Sequence, residues 1–232
     1  MFFASDHKRR RTPGEGGSIS RGRTLRLALA LIGAGLAALP AAGAPAQQVD
    51  TTLSRDAVLR DAEIPALGNP KGDLTVVEYF DYQCPYCRKV APDLDQVVRE
   101  DGHVRLVMKD WPILGPPSDV AARLVLATRY QDKYEVSHHA LMAAKGRLTE
   151  TSIRDTLAQA GVDMARADAD LATHRDDIDA LLKRNNAQAE AFDFHGTPAF
   201  IVGTFRVPGV IDAAMFKRAI ADARAAAAKA KK

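Results

Sequence analysis

The most constraining feature of this 232-residue chain is an apolar run of strand length that leads directly into a pair of cysteines. Leu74–Phe80 (LTVVEYF) is rich in β-branched and aromatic residues, which is typical of a strand covered on both faces. After Cys84, apolar residues recur at helical spacing until Asp101-Gly102 ends the pattern. Residues 104–108 (VRLVM) form a second apolar run. A strand, a helix and a strand in this order predict a parallel pair.

The remainder of the chain changes its period twice. Apolar residues follow a helical period from residue 118 to residue 194, and strand-like runs return at residues 199–202 and 205–207 with Gly203-Thr204 as a tight turn between them. Asp212 is a candidate N-cap for a last, alanine-rich helix. The order βαβ, helices, ββα predicts an α/β protein with a mixed sheet and an all-helical insertion at about residues 117–194.

The N-terminal segment has the order of a secretory signal peptide. Arg21, Arg23 and Arg26 precede an apolar run at residues 27–39, which is shorter than the roughly 18 to 20 residues of a membrane span, and small residues follow it. We therefore expect a signal peptide at residues 1–46, cleaved after Ala46, and a protein exported to the periplasm. Residues 47–71 are interpreted as a lead-in, with a short helix near Ser54, and residues 72–232 as the functional domain.

Composition and charge exclude several classes of protein. The chain is 47% hydrophobic and 26% charged, which is ordinary globular usage and excludes a collagen-like or disordered chain. The formal charge is +3, but the first 46 residues hold seven Lys and Arg against two Asp and Glu, so the rest carries 25 basic and 27 acidic residues. A domain so close to neutrality has no overall field that attracts nucleic acid.

The segment Cys84-Pro85-Tyr86-Cys87 lies between the first strand and the helix that follows it. Pro85 suits the first helical position, where its missing N–H costs nothing, and this makes Cys84 the N-cap. The sulfur of an N-cap cysteine faces free amide hydrogens and the positive end of the helix dipole, so the thiolate is favoured. We expect Cys84 to be the attacking sulfur and Cys87, one turn further, to be the resolving thiol.

Two other uses of the cysteine pair remain open at this point. A structural disulfide across two residues closes a very short loop and stabilises little. A zinc site needs about four ligands, but the chain has only two cysteines, and the adjacent His138 and His139 would point about 100° apart on a helix. Two thiolates can still hold copper(I). The position after a strand favours the redox pair, and we expect no bound metal or cofactor.

A proline lies directly before the later strand, in the segment HGTPAF at residues 195–200. Pro198 cannot donate a ladder hydrogen bond, so an ordinary strand entry or a special turn with a cis Thr197-Pro198 bond is required. Together with the segment EYFDYQCPYC, which begins at Glu78, this proline makes the chain similar to the DsbA-like branch of the thioredoxin superfamily. The resemblance covers roughly residues 72–225.

The resemblance implies a thioredoxin fold with an inserted helical subdomain, and thiol–disulfide exchange on exported proteins. It implies that Pro198 is cis and lies against the cysteine pair, with the Thr197 backbone pairing with substrate peptide. Glu78, six residues before Cys84, matches the family's buried acidic residue that moves protons near the deeper cysteine; a salt-bridged or partly exposed glutamate is the alternative. Tyr86 replaces the histidine of the best-known DsbA pattern, which indicates a weaker oxidant.

Other residues near the cysteines receive secondary assignments. Tyr82 and Tyr86 flank the first cysteine and, with Phe80, are candidates for an apolar surface that receives unfolded clients. Lys109 is a candidate for neutralising Glu78. In addition, Trp111 is expected to pack at a strand end, and His195 either to cap partly buried backbone or to add charge near the thiolate.

The sequence therefore predicts an exported oxidoreductase that donates the Cys84–Cys87 disulfide to unfolded or cysteine-containing exported proteins and is recycled by a membrane redox partner. A reductase or isomerase that a membrane partner keeps reduced is the alternative. A copper-binding or chaperone module using the same two thiols is a third possibility. A monomer is favoured, because residues 47–70 are too few for a separate dimerisation domain.

Overall fold

The computed structural model describes residues 52–230, and the expected signal peptide at residues 1–46 lies outside them. The elements in chain order are α1 (Arg55–Leu59), β1 (Ala66–Gly68), β2 (Leu74–Phe80), α2 (Pro85–Asp101), β3 (Val104–Asp110), α3 (Pro116–Ala127), a 3₁₀ turn (Thr128–Gln131), α4 (Tyr134–Met142), α5 (Glu150–Gln159), α6 (Met164–Thr173), α7 (Arg175–Ala191), β4 (Ala199–Val202), β5 (Phe205–Pro208) and α8 (Ala213–Ala230). None of these helices is long and apolar enough to cross a membrane.

The strands form one mixed sheet in the order β1-β3-β2-β4-β5. Strands β2 and β3 are parallel, with Glu78 opposite Met108 and Phe80 opposite Asp110, and the other neighbours are antiparallel. The predicted βαβ unit, helical insertion and ββα unit are confirmed, as is Asp212 as an N-cap, since its carboxylate accepts from the Met215 amide at 2.8 Å. The prediction of a mixed α/β sheet is correct.

Strand β2 lies at the centre of the sheet and every one of its residues is buried. On one face, Phe80 packs edge-on against His138 of α4, and Phe200 of β4 packs edge-on against Phe216 of α8. On the other face, Tyr79 packs against aromatic side chains that follow α7. Because both faces of β2 are covered, apolar and polar residues do not alternate along it, and its sequence is a nearly continuous apolar run interrupted by Glu78.

The segment before β2 contributes more structure than the sequence predicts. The expected short helix is present as α1, capped by the Ser54 hydroxyl, which accepts from the Ala57 amide at 3.1 Å. The strand β1, which was not predicted, pairs antiparallel with β3 and forms one edge of the sheet. Val58 and Ile64 of this segment are buried in the main core. The lead-in is therefore part of the folded unit.

Gly72 lies where the turn before β2 touches the backbone of β3. A Cβ atom at this position would lie 2.4 Å from the His103 carbonyl oxygen and 2.7 Å from the Arg105 nitrogen. Both contacts are with backbone, which cannot move aside without disturbing the sheet. The start of β2 therefore requires a residue without a side chain at position 72. This matters for the site because β2 leads to the cysteines.

We predict that Gly72→Ala lowers the free energy of unfolding by about 2 to 3 kcal/mol, because overpacking against fixed backbone forces the strand to shift. Urea denaturation at constant pH measures the change. Gly196→Ala is the matched control, since a Cβ there meets nothing within 4 Å. Equal stability of the two variants would contradict the prediction.

Candidate active site

The first turn of α2 holds Cys84 in the predicted N-cap position. Its backbone is extended (φ −71°, ψ 116°), Pro85 occupies the first turn, and the Cys87 amide donates to the Cys84 sulfur at 3.4 Å. The turn before it is closed by the Cys84 amide, which donates to the Asp81 carbonyl at 3.0 Å. The sulfur is therefore held against the unpaired amides of the helix start, as the sequence predicts.

This environment lowers the pKa of Cys84 to about 6. Hydrogen bonding from the Cys87 side chain is the largest cause, and burial opposes it. The Thr197 side chain and the backbone amides of Cys87 and Tyr86 lower the pKa further. All of these groups stabilise the anion by donating to it, so Cys84 is mainly a thiolate at neutral pH.

Cys87, in contrast, is a protonated thiol. Its side chain is completely buried, and burial raises the pKa of its thiol far above the ordinary value, with the hydrogen bond to Cys84 and the charge of Glu78 adding to the effect. Both cysteines are free thiols in this structure. The site therefore holds one ionised and one protonated sulfur within one helical turn, which is the arrangement that a nucleophile and a resolving thiol require.

The loop before β4 supplies the other wall of the site. The Thr197-Pro198 peptide bond is cis, and the Cys84 sulfur lies 3.2 Å from the Thr197 carbonyl oxygen, to which it donates a hydrogen bond only in its thiol form. An open groove of about 580 Å³ runs along this loop, lined by Thr197, Pro198, Phe194 and Arg206 among others. The structure thus brings together two elements that are more than 100 residues apart, the start of α2 and the cis-proline loop, and the groove runs along the second of them.

Glu78 lies beneath the cysteines on the face of β2 that α2 covers. It is 2% exposed, and its Oε1 has no hydrogen-bond partner among residues 52–230. Burial raises the pKa of Glu78 to about 8, and the charges of Asp95, Cys84 and Asp110 raise it in the same direction. The salt-bridged or partly exposed alternative is therefore wrong, and Glu78 is a buried carboxyl group that is protonated at neutral pH.

Lys109 does not neutralise Glu78, and that expectation is wrong. In the parallel register, Glu78 is opposite Met108 and Tyr79 is opposite Lys109, so the lysine projects from the other face of the sheet. It is completely buried there and its Nζ donates to the Ala57 carbonyl at the end of α1, at 3.1 Å. Burial lowers the pKa of Lys109 to about 8.

A second buried carboxyl group, Asp110, was missed by the sequence analysis. It is completely buried at the end of β3, on the same face as Glu78, and its Oδ2 accepts from the Tyr134 hydroxyl at 3.2 Å. Burial raises the pKa of Asp110 to about 8. The apolar run ends at Met108, so the sequence gives little sign that the strand continues to Asp110. If the strand is extended by two residues, side chains that alternate between its faces place Asp110 on the same face as Met108.

Asp81, also not singled out, fixes the turn that carries Cys84. It is 2% exposed, and its two carboxylate oxygens accept from the backbone amides of Gln83 at 2.7 Å, Ile113 at 2.8 Å and Leu114 at 3.0 Å. These bonds tie the turn after β2 to the loop after β3. An aspartate two residues before a turn amide is a recognisable sequence signal for this geometry.

The tyrosines beside the cysteines occupy different environments. Tyr86 is 59% exposed and lies at the surface, as expected. Tyr82 is 1% exposed and Phe80 is completely buried, so the expectation that they belong to an exposed apolar surface is wrong. The Tyr82 hydroxyl lies 3.2 Å from His138 Nδ1 on α4, because the helical insertion covers it. Tyr82 supports the site from inside and does not reach a substrate.

Two other residues are placed by the structure. Trp111 packs edge-on against Tyr79 at the end of β3, as predicted, and its Nε1 donates to Asn186 at 2.9 Å. His195 is exposed on the cis-proline loop and lies 3.2 Å from an Asp193 carboxylate oxygen, so it is not a partly buried cap. Within residues 52–230, no three His, Cys, Asp or Glu side chains are grouped to hold a metal ion.

Comparison with known proteins agrees with this geometry. Residues 61–222 match the family model described as Thioredoxin. The chain belongs to the thioredoxin family. Among curated proteins, the Na(+)/H(+) antiporter NhaA 1 of Mycolicibacterium gilvum is 30% identical over 156 residues, which are 66% of this chain and 25% of the antiporter. The chain thus spans about a quarter of the length of the curated relatives that it matches.

Three solved structures are similar over most of the described residues. A thioredoxin-like oxidoreductase from Silicibacter pomeroyi is 41% identical, with a TM-score of 0.71, covering 73% of this chain and 97% of that one. The thiol-disulfide exchange protein alpha-DsbA2 from Wolbachia pipientis is 26% identical, with a TM-score of 0.69 and coverage of 74% and 92%. The catalytic domain of Proteus mirabilis ScsC is 26% identical, with a TM-score of 0.68 and coverage of 75% and 97%. The resemblance to the DsbA-like branch is confirmed.

We predict that Glu78→Gln makes the reduced protein more stable than the wild type, by an amount that grows about 2 to 3 kcal/mol between pH 5 and pH 7. The folded-state pKa of Glu78 is raised, so folding must keep a proton that the unfolded chain releases as the pH rises through the ordinary value. Glutamine keeps the shape and removes this cost.

Urea denaturation of the reduced protein across this pH range measures the difference. The exposed Glu190→Gln removes the same group from the surface, where its side-chain hydrogen-bond partner is the neutral Asn186, and serves as the control. A stability difference for Glu78→Gln that stays constant with pH would show that the buried carboxyl group is not held in its protonated form.

Proposed function

We propose that the protein is an exported, periplasmic thiol:disulfide oxidoreductase that donates the Cys84–Cys87 disulfide to substrate proteins. The observation that carries the proposal is the opposite ionisation of the two sulfurs beside a cis-proline loop. Cys84 is 3% exposed, has a pKa of about 6 and lies against the Thr197 carbonyl, whereas Cys87 is completely buried and protonated. A structural disulfide requires neither feature.

Disulfide donation proceeds in two exchanges. In the oxidised protein, a substrate thiolate attacks the Cys84 sulfur, a mixed disulfide forms, and Cys87 leaves as a thiolate. Glu78, protonated at neutral pH, gives its proton to Cys87 and regains one from solvent. A second substrate thiolate then attacks the substrate sulfur and releases Cys84 as a thiolate. The substrate loses two electrons to the protein, and the reverse steps, with Cys87 as the resolving thiol, reduce a substrate disulfide.

The proposal that the protein donates its disulfide, and does not reduce substrate disulfides, rests on the stability of its reduced form. A thiolate held by helix amides stabilises reduced protein relative to disulfide, and a stabilised reduced form makes the disulfide a stronger oxidant. The low pKa of Cys84 therefore favours donation. Tyr86 between the cysteines favours a weaker oxidant than the best-known DsbA pattern, so a reductase or isomerase is the alternative that the experiment must separate.

The groove beside the cis-proline loop supports a peptide substrate. Pro198 has no backbone N–H to donate at the start of β4, and we propose that the Thr197 backbone pairs with an extended peptide whose cysteine approaches Cys84. We propose unfolded or cysteine-containing exported proteins as substrates and a membrane redox partner for recycling. Export is supported by the signal-like segment at residues 1–46 and by likeness to proteins such as a periplasmic thioredoxin-like protein from Salmonella enterica, which is 25% identical.

We predict that the purified protein, equilibrated with glutathione buffers, has a reduction potential above about −200 mV and oxidises a reduced, unfolded model protein. With oxidised glutathione as the oxidant, Cys84 of Cys87→Ser first forms a mixed disulfide with glutathione, and a thiolate of the model protein then displaces the glutathione thiolate. This variant cannot resolve, so it should accumulate a mixed disulfide with the model protein through Cys84, and Cys84→Ser should form none. Gel-shift assays with a thiol reagent measure both. A potential below about −230 mV with efficient insulin reduction would identify a reductase. Stoichiometric copper(I) retention without dithiol turnover would select the metal-binding alternative.

A further inference from the structure

The side chain of Arg88 bridges two segments that are far apart in the chain. Arg88 directly follows Cys87, and its Nε donates to the Tyr82 carbonyl at 2.8 Å. Its Nη1 donates to the Gly146 carbonyl at 2.6 Å. Tyr82 belongs to the turn that leads to Cys84, and Gly146 belongs to the loop between α4 and α5. The guanidinium thus joins the helical insertion to the turn that carries the nucleophile.

The same loop is held at a second point. The side-chain oxygen of Gln83 accepts from the Leu148 amide at 2.8 Å. Gln83 is the residue immediately before Cys84, so two hydrogen bonds, from Arg88 and to Gln83, attach residues 146–148 to the active-site turn. The clamp fixes where the Arg88 guanidinium lies relative to the two sulfurs.

The positive charge of Arg88 is not consumed by an ion pair. Both of its acceptors are neutral carbonyls, and among residues 52–230 no carboxylate lies within 4 Å of it. Its Nη2 is buried without an acceptor in the same part of the chain. Asp81 is the neighbouring acid, but both of its oxygens are occupied by backbone amides. Of the charges that act on Arg88, that of Asp81 is the largest and that of the Cys84 thiolate follows it.

We infer that Arg88 is a positioning residue that clamps the insertion to the active-site turn and holds a positive charge, without a direct ion pair among residues 52–230, on the turn that carries the Cys84 thiolate. The inference rests on the proposed function, because it concerns the reduced cysteine pair. A cation next to a thiolate favours the ionised form and hence the reduced protein. An exposed lysine at the same distance along the helix would be screened by solvent and would have a smaller effect.

The test compares neutral and charged variants at this position with a matched neighbour. Arg88→Gln and Arg88→Met remove the charge, and Arg88→Lys keeps it but loses the planar fork that reaches both carbonyls. Lys89→Gln is the control, since Lys89 is the next residue, carries the same charge and is exposed. Ultraviolet absorbance of the thiolate gives the Cys84 pKa, and glutathione buffers give the exchange equilibrium constant at pH 7.

We predict that either neutral variant that folds raises the Cys84 pKa by about 0.5 to 1 unit and shifts the glutathione equilibrium about threefold to fivefold toward the oxidised protein. Arg88→Lys keeps the charge, so it should keep at least half of the lowering of the Cys84 pKa that Arg88 provides. It loses the bond to the Gly146 carbonyl, so the backbone amides of residues 146–148 should exchange hydrogen faster than in the wild type. Lys89→Gln should change neither. A neutral variant that leaves pKa and equilibrium unchanged, or matches Lys89→Gln, overturns the inference. An ordinary Cys84 pKa in the wild type would instead count against the proposed function.

Discussion

The hydrogen bond from the Cys87 amide to the Cys84 sulfur is the interaction on which the proposed chemistry depends, because it helps to keep Cys84 ionised. It exists because β2 is buried at the centre of the sheet and delivers the chain, through the turn that Asp81 fixes, to the first residue of α2. The same helical turn that exposes free amides to Cys84 carries Cys87 into the core. One local structure therefore ionises one sulfur and keeps the other protonated, and neither state requires a bound group.

The buried polar groups on the two faces of the sheet differ in kind. One face holds carboxyl groups with raised pKa values, and the other holds side chains that hydrogen-bond to neighbouring helices. Glu78 and Asp110 lie on the face covered by α2 and α4, where both carboxyl groups have raised pKa values and Glu78 is close enough to feel the charge of Cys84. Lys109 and Tyr79 lie on the other face, where they hydrogen-bond to α1 and α7. Because their pKa values are raised, both carboxyl groups cost folding free energy at neutral pH, and for Glu78 this cost agrees with the proton transfer that we propose.

Much of this arrangement could be predicted from the sequence because it is local. The buried run of β2, the proline at the first turn of α2 and the N-cap role of Cys84 each follow from residues within a few positions. The rest depends on contacts between distant segments. The face of Lys109 is set by strand register, which a shift of one residue reverses. Tyr82 is buried by His138 of the insertion, and Ala66–Gly68 becomes a strand only by pairing with β3.

The ionisation of Cys84 is tested most directly by alkylating the reduced protein over a range of pH and locating the label by peptide mapping. We expect modification to fall on Cys84, with a rate that rises with pH and reaches its midpoint near pH 6, while Cys87 stays unmodified in the folded protein. Equal labelling of both cysteines, or a midpoint near the ordinary thiol value of about 8.5, would contradict it.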